Sequence, residues 1–267
     1  MLHHEPAPDP SHPHALWVAI GFLTRLPTRA TATALDGTDA LSRSRAWFPL
    51  VGALVAGLAI AGFAVTEPLL GSFVAAVIAV AIGVAVTGAF HEDGLADTFD
   101  GMWGGWTPER RLEIMRDSRI GTYGAAALVM SLLLRGALLS GLTVSGASRA
   151  LLVGHVVGRA AGLVMGARLQ PARPDGRGTD IHGPFTSGQI VVAGTVTVLA
   201  LVAGTGIFLA VPVAAAAIAY GIMERLTRSR LGGFTGDVLG ATTQVVHIAS
   251  MACVVALIRM EVPWWAL

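Results

Sequence analysis

Long, almost uninterrupted apolar runs recur from one end of this chain to the other, with no soluble-looking block between them. An α-helix needs about 20 such residues to cross the roughly 30 Å hydrocarbon core of a bilayer. Candidate spans fall at 46–66, 68–90, 122–143, 148–168, 188–210, 211–226 and 238–260. The sixth is the weakest, being short and beginning at Pro212, and the alternative to two spans is that segments five and six form one broken helix or include a re-entrant stretch. In lipid every backbone N–H and C=O needs an internal partner, which makes helices the natural element for runs of this length. The expected fold is therefore all-α, a polytopic integral membrane helical bundle of about seven transmembrane helices plus short interfacial helices. Composition agrees, with 54% hydrophobic residues, 13% charged residues and a mean hydropathy of +0.67. Soluble domains carry roughly 45–50% apolar residues.

Residues 1–15, MLHHEPAPDPSHPHA, are rich in Pro and His and lack the basic start and apolar stretch of a signal peptide. They read as a disordered tail, with 16–267 as a single integral membrane domain. Within that domain 16–26, LWVAIGFLTRL, is too short to span and reads as an interfacial or buried segment. Cys253, the lone cysteine, reads as a small core residue, and no disulfide can form within the chain.

Every basic side chain is an arginine. Arg25, Arg29, Arg43 and Arg45 precede the first span, Arg110, Arg111, Arg116 and Arg119 follow the second, Arg168, Arg173 and Arg177 follow the fourth, and Arg225, Arg228 and Arg230 follow the sixth. The short connections at 66–68, 144–146 and 210–212 carry none. By the positive-inside rule the long loops face the cytoplasm and the carboxyl terminus lies outside, placing the protein in the cell membrane as a multi-pass chain with a cytoplasmic site. The formal net charge of +1, with no long basic run, excludes nucleic acid as a partner.

Against this background TGAFHEDGLADTFDG, 87–101, is anomalous, because it sets four carboxylates at the end of an apolar run. Continued as helix, Asp93, Asp97 and Asp100 stand at i, i+4 and i+7, within about 60° of one face. Three converging carboxylates at the edge of a low-dielectric slab repel one another unless protonated or bridged by a cation. Hard oxygen donors suit Mg²⁺ or Mn²⁺. Gly94 removes a side chain beside the cluster and would let a phosphate approach the backbone. His91 points to the opposite face, and Glu92 lies about 100° off it. Downstream, Thr107 and Pro108 mark a helix start, Arg110 to Arg116 form a short amphipathic run, and Arg116 to Arg119 make a polar turn.

Inside the spans, Arg135, His155 and Arg159 are costly in lipid and mark functional positions, with His155 and Arg159 sharing a helix face. A second polar island, GGFTGDVLGATTQ at 232–244, sets Asp237 at the start of the last span, as a helix cap or as a further ligand of the acidic site.

HEDGLADTFDG, RRLEIMRDSRIGTYG, ARPDG at 172–176 and GGFTGDVLGA at 232–241, with FLTRLP at 22–27 and WFPLVG at 47–52, together resemble the adenosylcobinamide-GDP ribazoletransferase (cobalamin synthase) family. The likeness covers nearly the whole chain. It implies an enzyme that joins α-ribazole, or its 5′-phosphate, to adenosylcobinamide-GDP with release of GMP, by Mg²⁺-dependent phosphoryl transfer. The role assignments that follow are Asp93, Asp97, Asp100 and Asp237 for metal, Asp237 and Asp97 for catalysis, and Gly94, Arg116, Arg119, Arg159 and Arg173 for substrate phosphates. Two positions depart from the family pattern: a Glu commonly stands where this chain has His247, and a Lys where it has Arg135.

Two other membrane enzyme classes hold a metal–diphosphate with aspartates at helix ends, the CDP-alcohol phosphotransferases and the prenyltransferases. The first calls for Ala-Arg after its Asp-Gly, but Ala96 precedes Asp97; the second calls for two Asp-rich motifs, and one is present. A membrane transporter would use Arg135, His155 and Arg159 as pathway residues, but the internal repeat common in transporters is not evident.

Overall fold

A computed structural model describes residues 13–28, 38–173 and 181–261. Ten α-helices lie in these segments: α1 Pro13–Leu23, α2 Thr38–Ser44, α3 Phe48–Thr87, α4 Phe90–Gly104, α5 Pro108–Ile114, α6 Thr122–Leu139, α7 Val144–Arg168, α8 Ser187–Thr205, α9 Ala210–Leu231 and α10 Gly236–Arg259. No strand is present among the described residues; one isolated bridge joins Pro171 to Phe234. Most of the predicted tail, 1–12, lies outside the described residues, as do Arg29, Arg177 and the 174–176 portion of ARPDG. Residues 13–15 of that tail belong to α1 instead, which shortens it.

Five helical stretches are long and apolar enough to cross a membrane, and two of them, Ala40–Thr87 with 48 residues and Ser187–Leu231 with 45, are twice the length one crossing needs. Both fold back. In α3 the backbone leaves the helix at Gly71 (φ 79°, ψ 161°), a conformation that suits a residue without Cβ. A straight helix would hold positions 62 and 82 about 30 Å apart. Instead a Cβ on Gly62 would lie 2.1 Å from Ile82 Cδ1, so the arms 48–70 and 72–87 pack side by side. Between α8 and α9 the turn begins at Gly206 (φ 56°) and passes through a 3-10 segment, Gly206–Leu209. Gln189 and Arg230, far apart in sequence, both reach the end of the bundle that carries the acidic motif. The seven expected crossings are thus present, and the α8–α9 stretch is a broken pair rather than a re-entrant loop.

The protein is a polytopic helical membrane bundle. Large apolar side chains such as Leu69, Phe73, Leu133, Ile190, Leu199 and Ile218 are exposed, as expected of surfaces that face lipid. α7 is the central helix, packed by α3, α8 and α10. Its glycines permit this: a Cβ on Gly158 would lie 2.6 Å from the Thr243 carbonyl oxygen, and one on Gly52 of α3 would lie 2.6 Å from the His155 carbonyl oxygen. α1 is buried rather than interfacial, with Val18 and Ala19 wholly enclosed beneath the acidic end.

Candidate active site

After α3 the chain turns through two left-handed residues, Gly88 (φ 63°) and Ala89 (φ 58°), and re-enters the bundle as α4. This break is what offsets the acidic helix from the membrane span before it. α4 packs closely on α10 because both carry glycine at the crossing. A Cβ on Gly94 would stand 2.8 Å from the Asp237 carbonyl oxygen, and one on Gly240 would stand 3.4 Å from His91 Cα. Gly94 therefore admits the last helix, not a phosphate, which corrects the expectation from sequence. The consequence is that Asp237 sits against the helix bearing Asp93 and Asp97.

Asp237 is positioned from a second side as well. Beyond α7, Ala172 N–H donates to the Phe234 carbonyl (2.8 Å) and Phe234 N–H to the Gln170 carbonyl (3.0 Å). A Cβ on Gly233 would lie 2.5 Å from the Gln170 oxygen, so this pairing demands glycine there. It delivers Arg173 to Asp237, Nη2 to Oδ2 at 3.3 Å, and the Thr235 hydroxyl donates to the same oxygen at 3.2 Å. Thr235, not Asp237, caps α10, through its acceptance of Val238 N–H at 3.3 Å. The Asp237 carboxylate is thereby free of the cap role that sequence allowed it.

Asp97 is half-buried, and burial together with the neighbouring charges of Asp93, Asp237 and Asp100 pushes its carboxyl up to about 7, with Arg173 opposing. Asp100 departs from the expectation. Its Oδ2 accepts Gly121 N–H at 2.7 Å and its Oδ1 accepts Gly124 N–H at 2.8 Å, so both oxygens cap the start of α6. A Cβ on either glycine would collide with this carboxylate, at 2.4 Å and 2.3 Å. Three acidic side chains converging on one point is therefore not the arrangement found, and among the described residues no group of three acidic, His or Cys side chains stands at metal-holding spacing. The donor chemistry of Asp93, Asp97 and Asp237 nonetheless fits a hard divalent cation. Burial first, and then their mutual repulsion, raise the Asp97 carboxyl against the opposing charge of Arg173, so a cation would be welcome here.

The remaining expected arginines are dispersed. Arg116 is exposed, and Arg119 forms a pair with Asp117 at 2.6 Å on an exposed turn. Arg111 ties the segment down, donating to the carbonyls of Gly105 and Arg230, each at 2.9 Å, while Arg230 donates to the Met102 carbonyl at 2.6 Å. Arg159 lies deeper, 3% exposed, its Nη1 3.1 Å from both Nδ1 and the carbonyl of His155, and it takes no part in the Arg173–Asp237 pair.

Two features escaped the sequence. Glu92 and Arg135 form a buried ion pair, Nη2 to Oε1 at 3.0 Å without hydrogen-bond alignment, and Gln244 Nε2 donates to the same oxygen at 2.9 Å. The signal was a Glu and an Arg in separate apolar contexts, each needing a partner. Arg45 is buried and donates to the carbonyls of Ile181 (3.1 Å), Gly183 (2.8 Å) and Pro184 and to Gln189 Oε1 (3.2 Å), with its guanidinium over the Phe185 ring. Only its place among positive-inside arginines was visible beforehand.

Fold and site define a class: multi-pass helical membrane proteins with a carboxylate–arginine site at one end of the bundle. The chain belongs to the cobalamin-5-phosphate synthase family, whose description matches residues 15–255. It is 43% identical over 242 residues to the adenosylcobinamide-GDP ribazoletransferase of Azorhizobium caulinodans, covering 86% of this chain and 91% of the relative. It is 37% identical over 239 residues to the enzyme of the same name from Shewanella woodyi, covering 87% and 92%. No solved structure matches the chain.

Proposed function

We propose that this protein joins α-ribazole, or its 5′-phosphate, to adenosylcobinamide-GDP with release of GMP, the lower-ligand attachment step of cobalamin synthesis. The carrying observation is the meeting of Asp93 and Asp97 with Asp237 and Arg173 at one end of a chain that matches the family over residues 15–255. In the transfer a ribose hydroxyl of the ribazole that the 5′-phosphate leaves free forms a bond to the corrinoid-side phosphorus and gives up its proton, while the bond from that phosphorus to the bridging oxygen breaks and GMP carries that oxygen away. Such a step depends mainly on alignment and charge balance. Asp237, oriented by Thr235 and Arg173, takes the hydroxyl proton, and Asp97, whose carboxyl is held up to about 7 by burial and neighbouring carboxylates, would give up its proton where a cation is bound. Arg173 steadies the diphosphate, with Arg116 and Arg119 on the exposed turn drawing the anionic substrate in. Asp93, Asp97 and Asp237 are the residues that would hold Mg²⁺, which supplies charge neutralisation at the phosphates when bound. The arginine bias of the long loops supports a cell-membrane protein with this end in the cytoplasm.

The test is purified protein in detergent with both half-molecules, with and without Mg²⁺, followed for joined product and GMP. Product that requires both substrates and Mg²⁺, and that Asp97→Ala abolishes in a folded protein, is the expected result. Tracer movement across sealed vesicles without GMP release would instead make the protein a transporter.

A further inference from the structure

A helix crossing built on glycine is close but smooth. Gly94 of α4 and Gly240 of α10 let the two helices approach, yet neither offers a side chain that would stop one helix from sliding along the other. Sliding matters, because Asp93 and Asp97 ride on α4 and Asp237 on α10. Directional contacts must therefore set the register, and three buried side chains from three helices supply them. Glu92, the residue before Asp93, presents one oxygen to both neighbours: Gln244 Nε2 of α10 donates to Oε1 at 2.9 Å, and Arg135 Nη2 of α6 stands 3.0 Å from the same atom. Gln244 follows Asp237 by about two helical turns and shares its face, so the bond to Glu92 sets where along α10 the acidic helix sits. α6 holds α4 a second time, through Asp100 and the N–H groups of Gly121 and Gly124. The stretch that carries Asp93 and Asp97 is thus fixed at both ends, at Glu92 and at Asp100.

This cluster is a poor choice for stability alone. Glu92, Arg135 and Gln244 are each 4% exposed, yet among the described residues Glu92 Oε2 and Gln244 Oε1 have no hydrogen-bond partner. Apolar side chains of similar size would fill the same space at least as favourably, whereas a charged pair of fixed geometry selects one arrangement of the helices over its neighbours. We propose that Glu92, Arg135 and Gln244 are positioning residues for the transfer: they fix the register of α4 on α10, and so the separation of Asp93 and Asp97 from Asp237. The inference rests on the function proposed above, and the three residues act through the aspartates rather than on the substrates.

The test separates register from stability. The double variant Glu92→Met/Arg135→Met leaves no lone charge buried, so its melting temperature in detergent should lie close to that of the wild type. Its kcat should nonetheless fall about 10- to 100-fold, the scale of a small misplacement of reacting groups, with KM for both substrates little changed. The MgCl₂ concentration that half-saturates the rise in melting temperature should increase about 10- to 100-fold, the usual effect of losing the groups that orient metal ligands. Gln244→Met, which removes the direct bond between α4 and α10 and no charge, should move both quantities the same way. Phe63→Leu is the control: Phe63 is buried in a separate part of the core with Leu139 and Leu142, so its loss should lower the melting temperature and leave kcat and the Mg²⁺ response alone. A folded double variant or Gln244→Met with wild-type kcat and Mg²⁺ response overturns the inference. So does Phe63→Leu if it reproduces their losses, since general stability would then account for them. Should the double variant not fold, Gln244→Met decides. Should the wild type make no product but be stabilised by Mg²⁺, the proposed reaction alone has failed and the Mg²⁺ response of the variants still decides the register; a wild type that neither reacts nor responds to Mg²⁺ overturns both.

Discussion

Asp97 holds a proton near neutrality because burial and three neighbouring carboxylates oppose its ionisation, and this has a sign that can be measured. Its folded-state value of about 7 lies above the ordinary 3.8, so the folded metal-free protein binds more protons than the unfolded chain between those values. The stability contribution is full below 3.8 and is lost as pH rises through about 7. A cation that binds the ionised form should therefore raise the melting temperature more at pH 8 than at pH 6, and Asp97→Asn should flatten the difference. Thermal unfolding in detergent with and without MgCl₂ at the two pH values checks this. Asp100 is a different kind of residue despite its place in the same motif. Asp100→Ala leaves the buried Gly124 N–H without an acceptor, at about 1–3 kcal/mol, and leaves the exposed Gly121 N–H to water. It should lower the unfolding midpoint in mixed micelles, whereas Asp97→Ala should lower turnover with little loss of stability.

At the scale of elements, the site depends on how closely α4 approaches α10, and residues 181–185 are held by Arg45. Gly94→Ala places a methyl 2.8 Å from the Asp237 carbonyl, a backbone atom that cannot rotate away. The helices must part, at about 1–3 kcal/mol for overpacking. A misplacement of this order around the reacting groups should cost turnover about 10- to 100-fold, read as kcat against melting temperature. Arg45 anchors 181–185 by spreading one guanidinium over four backbone carbonyls and the Gln189 side chain. An ammonium has three donors on a point charge and lacks the planar fork. Arg45→Lys should therefore fail to restore what Arg45→Ala loses, and amide exchange across 181–189 should speed up in both variants.

For the whole molecule, seven crossings put the acidic motif, Arg173 and Asp237 at one end and the Ser140–Thr143, Gly206–Leu209 and Arg259 segments at the other. With Cys253 replaced by serine, a cysteine at Ser118 or Ser229 should be shielded from a membrane-impermeant thiol reagent in intact cells and labelled after lysis, and one at Ser140 should be labelled in both. The opposite pattern would reverse the orientation. The interior is tied by the Glu92–Arg135 pair, 4–5% exposed on each side chain. Removing either partner alone should cost about 3–5 kcal/mol, because a lone charge is left buried, and replacing both with apolar residues of similar size should recover most of the loss. A double-mutant cycle by unfolding in mixed micelles measures that coupling.

Hydropathy alone determined the helical membrane class and about how many crossings to expect, because a bilayer fixes the length of an apolar helix and forbids unpaired backbone, while the turns at Gly71 and Gly206 decided the count. Local chemistry also gave the helix start at Thr107 and singled out Asp93, Asp97 and Asp237, whose charges the structure brings close enough to act on one another. A single-helix geometry could not show that Asp100 turns to the N-terminus of α6, that Gly94 receives a helix rather than a phosphate, or that Glu92 finds Arg135 from 43 positions away. Helical period fixes only the direction in which a side chain leaves its own helix. What it meets there is set by the neighbouring helix, and that neighbour is chosen by packing over the whole bundle.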